Sequence, residues 1–204
     1  MGVRVTSPVN ATFIHMKKTG GTSVTRWLLQ NTESFKFNKH AELPYVKKRF
    51  KDHGILITVV RNPFDRLISW YHYYIKKTKA RISAVNNGYK IKNSKKMQNK
   101  YNLEKNTKIL EKYNEIGFNG FARNCNFGLQ LYNAKQCDIV LQLENINEDF
   151  KQVQDLFGID VPLPHTNRSS HRGRSELYDE ETKEIVYEKY AKDFDYFGYT
   201  FDDK

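Results

Sequence analysis

Residues Ala11-Thr12-Phe13-Ile14-His15-Met16-Lys17-Lys18-Thr19-Gly20-Gly21-Thr22-Ser23 decide how this chain is read. Ala11 to Met16 reads as a strand, and the helix after the glycines carries Val24, Trp27 and Leu28 on one face. Two glycines between a strand and a helix let backbone N–H groups come close to an anion. The helix dipole adds to that attraction, and Thr22 and Ser23 add hydroxyl donors. The stretch is therefore a phosphate-binding loop in kind. It is not the nucleotide-triphosphatase loop, because a threonine follows Gly21 where that loop needs a lysine, and Lys18 lies before the glycines.

Outward from this loop the chain alternates strand and helix signals. A helix is predicted over about 41–51, and Gly54 then opens the buried strand Ile55-Leu56-Ile57-Thr58-Val59-Val60. Arg61-Asn62-Pro63 ends that strand, since proline suits a helix's first turn and not a central strand. The next helix runs from Phe64 to about Lys77, with Leu67, Tyr71 and Tyr74 at helical spacing. A third strand covers Asp138 to Leu143, a helix covers about 147–157 before Gly158, and a polar loop covers 160–177. The last helix spans about 179–193 and precedes an aromatic tail. Strand and helix in alternation predict an α/β fold with a mainly parallel sheet. Ligands of such sheets gather at the carboxyl ends of the strands, which lets Arg61 share a ligand with the glycine loop. Arg61 brings a planar fork to a phosphate, and Ser69 a hydroxyl from the following helix. Asp65 and Arg66 read as helix-surface charges.

The length of 204 residues fits one domain, 1–204, and 39% hydrophobic with 14% aromatic residues is enough for a core, which excludes wholesale disorder. No run approaches the roughly 18 apolar residues of a membrane span, and no signal peptide is visible. A cytoplasmic location is the expectation for the chain as given, with a Golgi lumen only for a trimmed form. Cys125 and Cys137 are the only cysteines, which excludes a disulfide framework and suggests reduced thiols. The formal charge is +11, and the segment from Lys76 to Lys112 holds twelve basic and two acidic residues, a net +10. Its Lys- and Asn-rich stretch, about 78–117, reads as a basic insertion, part mobile loop and part short helix around 107–113.

The loop Lys17 to Ser23 and the run Arg61-Asn62-Pro63-Phe64-Asp65-Arg66-Leu67-Ile68-Ser69-Trp70-Tyr71 together resemble the two donor-binding motifs of the carbohydrate sulfotransferases. In that family the loop reads Pro-Lys-Thr-Gly-Gly-Thr-Ser, with Lys17 here in place of proline. The ending, with Tyr187, Tyr190, Asp193, Phe194, Phe197 and Tyr199, is also similar to the family's last helix and tail. The resemblance implies a P-loop-like central parallel sheet flanked by helices, and 3′-phosphoadenosine 5′-phosphosulfate (PAPS) as donor. It further implies that Lys17, Lys18, Thr19, Gly20, Gly21, Thr22 and Ser23 hold the 5′-phosphosulfate, and Arg61 and Ser69 the 3′-phosphate. Arg172, in Arg172-Gly173-Arg174, is loosely similar to the family's late donor-covering loop.

In sulfuryl transfer, positioning and electrostatics carry most of the catalysis. Lys18 is the candidate for the leaving-group side. A histidine, with an ordinary pKa of about 6.5, suits the base. His40 in Asn38-Lys39-His40-Ala41-Glu42 resembles the family's catalytic histidine, with Glu42 and His15 as alternatives. No metal is expected. The acceptor is expected to be a glycan, possibly acidic, and no nucleic-acid module is recognised. An ATP-dependent P-loop kinase and a non-catalytic nucleotide- or polyanion-binding protein are the competing classes.

Overall fold

A computed structural model describes residues 9–32, 35–39, 43–89, 94–164 and 173–203 of the chain. Its elements are, in order, β1 (Ala11–His15), α1 (Gly21–Asn31), β2 (Phe35–Lys39), α2 (Leu43–Arg49), β3 (Ile55–Val60), α3 (Pro63–Asn86) and α4 (Lys95–Lys100). They continue with α5 (Leu103–Asn124), α6 (Leu131–Ala134), β4 (Ile139–Gln142), α7 (Ile146–Asp149), α8 (Lys151–Phe157), α9 (Arg174–Leu177) and α10 (Glu180–Phe197). The strands form one parallel sheet in the order β2-β1-β3-β4, flanked by helices, so the fold is α/β as the alternating pattern predicts. β2 is an addition to that reading. Phe35-Lys36-Phe37-Asn38-Lys39 alternates apolar and polar residues at a sheet edge and lacks the continuous apolar run that marks β3.

The chain divides into two compact units. The first comprises Met1–Arg66, Gly128–Ser170 and Tyr190–Lys204, and contains the sheet. Successive strand residues point to opposite faces, and two buried clusters result. One combines Ala11 and Phe13 of β1, Ile57 and Val59 of β3 and Leu141 of β4 with Val24, Trp27 and Leu28 of α1 and Val153 and Phe157 of α8. The other joins Ile14 and Leu56 to Leu43 and Val46 of α2. Trp27 is wholly buried, lies edge-on to Phe150 at 5.0 Å, and donates its indole N–H to the carbonyl of Val161 at 2.7 Å. These contacts fix α1, and with it the loop at its start.

The second unit, Leu67–Phe127 with His171–Lys189, is helical in its described parts. Its interior is aromatic: Tyr71 meets Phe118 at 5.6 Å and Phe121 at 5.3 Å, Tyr74 meets Tyr113 at 5.2 Å, and Phe118 meets Tyr178 at 4.7 Å. Arg123 donates to Thr182 at 2.8 Å and pairs with Asp179 and Glu181 at 2.9 and 3.0 Å. Lys189 donates to the carbonyls of Arg123 and Cys125 at the end of α5, where a cation also suits the helix dipole. The insertion is more helical than its composition suggested. α3 continues nine residues past Lys77 to Asn86, and α4 and most of α5 fall between 94 and 117. Lysine favours helices, and the apolar contacts that hold these are supplied by tyrosines, which the count of aliphatic residues overlooked. Among the described residues no helix is long and apolar enough to cross a membrane.

Candidate active site

β1 lies between β2 and β3, so the chain leaves β1 toward one neighbour while the strand on its other side comes later in sequence. Such a reversal opens a crevice at the carboxyl ends of the two central strands. The glycine loop follows β1 and Arg61 follows β3, which sets both at this crevice. Lys18 and Gly20 take left-handed backbone conformations, φ 66° and 77°, and the loop thereby turns sharply into α1. A Cβ on Gly20 would lie 2.4 Å from Leu143 Cδ1, and one on Gly21 2.7 Å from the ring of His15. Only glycines let the loop sit this close to the sheet.

The loop is braced from within the fold. Thr19 is buried and its hydroxyl donates to the carbonyl of Met16 at 3.1 Å, so Thr19 serves the loop's shape with its side chain and can offer an anion only its backbone. Arg66 is 5% exposed and is no surface charge: Nε donates to the carbonyl of Lys17 at 3.0 Å and a terminal nitrogen to that of Gly128 at 3.3 Å. The start of α1 has no side-chain cap, because Gly20 stands at the capping position. The Ser23 N–H donates to the Gly20 carbonyl at 3.1 Å, closing the first turn, which begins at the crevice. Thr22 is exposed and Ser23 half-buried at that turn. His15 lies beneath Gly21, 5% exposed, with Nδ1 3.4 Å from the hydroxyl of Thr25. It is packed as part of the floor.

Lys18 is half-buried, and burial together with the neighbouring Arg61 guanidinium lowers its pKa from 10.5 to about 8. Two half-buried cations set close together favour a nearby anion. The backbone at Arg61 is held on both sides of the peptide: its N–H donates to Gln130 Oε1 at 3.0 Å, and Gln130 Nε2 donates to its carbonyl at 2.8 Å. Asn62 is fully buried, accepts from the Phe64 N–H at 3.0 Å, and donates to the Thr200 carbonyl at 2.7 Å. It caps α3, and Pro63 supplies the first helical position. Glu144 accepts from the Asn62 N–H at 2.8 Å and from the Tyr199 hydroxyl at 3.0 Å. Burial raises its pKa against the opposing pull of those bonds and of Arg61.

Of the residues singled out in the sequence, Lys17, Lys18, Thr19, Gly20, Gly21, Thr22, Ser23 and Arg61 come together in the first unit. Ser69 is buried on α3 in the second unit. His40, Glu42 and Arg172 lie outside the described residues. Arg66, Gln130 and Glu144 were missed as contributors. Arg66 carried a signal, being inside the second motif, whereas nothing in the sequence marks Gln130. Among the described residues no cluster of His, Cys, Asp or Glu is arranged to hold a metal ion.

The fold is α/β, with a lysine and an arginine beside the start of a helix that no side chain caps, set differently from the triphosphatase loop. The family model described as Sulfotransferase family matches residues 3–200, and the chain belongs to that family. It is a transferase of the sulfuryl-transferring kind. No curated protein and no solved structure matches it.

Proposed function

We propose that the chain transfers the sulfuryl group of PAPS to a hydroxyl of a saccharide, the acceptor class implied by the resemblance of its two motifs to those of the carbohydrate sulfotransferases.

 The observation that carries this reading is Lys18, desolvated beside Arg61 at the uncapped start of α1. The residues present fit the donor, a dianionic nucleotide end meeting two cations and a loop that glycines at 20 and 21 let pack closely on Leu143 and His15. When bound, PAPS supplies a sulfuryl group joined to its 5′-phosphate, and that phosphate is the leaving group.

Gly20, Gly21, Thr22 and Ser23 hold the 5′-phosphate through first-turn N–H groups and hydroxyls. Lys18, protonated below about pH 8, neutralises the charge that develops on the leaving side. Arg61 binds the 3′-phosphate with its fork. His40 accepts the proton of the acceptor hydroxyl. This assignment is supported by position, since Lys39, the residue before it, pairs with His15 at the end of β1. Ser69 on the 3′-phosphate, Arg172 on the donor and Lys17 beside the 5′-phosphosulfate enter on the motifs alone. The lysine-rich segment supports an acidic glycan as acceptor.

Titration calorimetry with 3′-phosphoadenosine 5′-phosphate, beside ATP with magnesium, tests the reading. Tight metal-independent binding of the bisphosphate by the wild type, weakened by about a hundredfold in Arg61→Ala but still measurable, is the expected result. Binding of ATP with magnesium alone would overturn it in favour of a kinase, and binding of neither would overturn it in favour of a polyanion-binding protein.

A further inference from the structure

The Leu143 N–H donates to the carbonyl of Val60 at 2.9 Å, so Val60 turns its backbone groups toward β4. In a parallel ladder successive residues face opposite neighbours, and Arg61 therefore faces the side of β1. β1 has by then left the sheet: the Met16 N–H turns back to the carbonyl of Ile14 at 3.1 Å, and the chain enters the glycine loop. A strand end in this position would leave a buried N–H and C=O without a ladder partner. The side-chain amide of Gln130 supplies both, accepting at 3.0 Å and donating at 2.8 Å, as a strand would.

Gln130 is itself wholly buried and anchored. The carboxylate of Asp193, also wholly buried, accepts from the Gln130 N–H at 2.9 Å, from Gln130 Nε2 at 3.3 Å and from the Leu131 N–H at 3.0 Å. We propose that Gln130, anchored by Asp193, is the positioning residue of Arg61: its amide takes the place that β1 vacates, so the loop departs while Arg61 stays aimed into the crevice. This inference rests on the reading of Arg61 as a donor-phosphate ligand. It gives Asp193, known from the sequence only as part of a familiar tail, a physical task at the opposite end of the chain from the glycine loop.

Gln130→Met keeps the side-chain length and removes both bonds. Its expected effect is a loss of about tenfold to a hundredfold in affinity for 3′-phosphoadenosine 5′-phosphate in a protein that still melts cooperatively. In an Arg61→Ala background the same change should cost nothing further, because the group being aimed is gone. A merely structural role would cost affinity equally in both backgrounds. Asp193→Asn carries the same comparison where Gln130→Met does not fold. Wild-type affinity in a folded Gln130→Met, or equal losses in both backgrounds, overturns the proposal while leaving the donor site intact. A wild type that fails to bind the bisphosphate overturns the donor reading itself, and this inference falls with it.

Discussion

Lys18 puts two requirements on one side chain, burial and charge. Its pKa of about 8 in the folded protein lies below the ordinary 10.5, with burial the larger cause and Arg61 the second. Between those two values the unfolded chain holds the proton and the folded chain does not, so this group makes stability rise with pH over that window. Below about pH 8 it is charged in both states, and the folded protein carries the cost. Ligand binding has the opposite sign: above about pH 8 the lysine arrives neutral, and bisphosphate affinity should fall by up to about tenfold per pH unit. Calorimetry across this range checks the inflection, and Lys18→Met should abolish it. Lys18 and Arg61 were legible in the sequence because glycines, proline and β-branched runs mark strand ends locally. Gln130 and Glu144 were not, since a lone glutamine or glutamate gains its role only from backbone groups that arrive from distant segments.

At the scale of elements, the loop is as well placed as α1 makes it, and α1 is held chiefly by Trp27. Trp27→Ala should lower unfolding free energy by about 3–5 kcal/mol, chiefly through the cavity left beside Phe150 and Phe157. Urea denaturation of the pure protein measures it. Donor affinity in the folded fraction should fall too, because the start of α1 is no longer fixed against the sheet. β1, β3 and β4 could be read from continuous apolar runs, and α1 from one apolar face. The edge strand β2 could not, because Lys36, Asn38 and Lys39 leave it no continuous apolar run. The far half of α3 was hidden by charge, as Lys76, Lys77, Lys79 and Arg81 suggested an end where the helix in fact runs on to Asn86.

Across the whole molecule, charge is unevenly spread, and most of the net +11 lies in the segment from Lys76 to Lys112. Lys105, Lys108 and Lys112 of α5 line a shallow depression of about 410 Å3 with Glu104 and Ile109. The exposed Lys108–Glu104 pair at 2.7 Å adds only about 0.5 kcal/mol, so stability gives these lysines little purpose. Replacing all three with alanine should raise the KM for an acidic saccharide acceptor several-fold and flatten its salt dependence, with bisphosphate affinity unchanged. Steady-state kinetics at two ionic strengths provide the check. The partners of Arg61 and Asn62 have one further consequence. Gln130, Glu144, Asp193 and Thr200 all follow α3, α4 and α5 in sequence, and β4 pairs with β3 across a separation of 82 residues, as Ile57 against Ile139. On the ribosome, then, the glycine loop and Arg61 emerge long before the groups that aim them. The helices between have emerged by then, and the contacts of Tyr71 with Phe118 and of Tyr74 with Tyr113 shorten the gap that β4 must close. The protein gains its ligand-ready form only once Asp193 and Thr200 have joined Gln130 and Asn62.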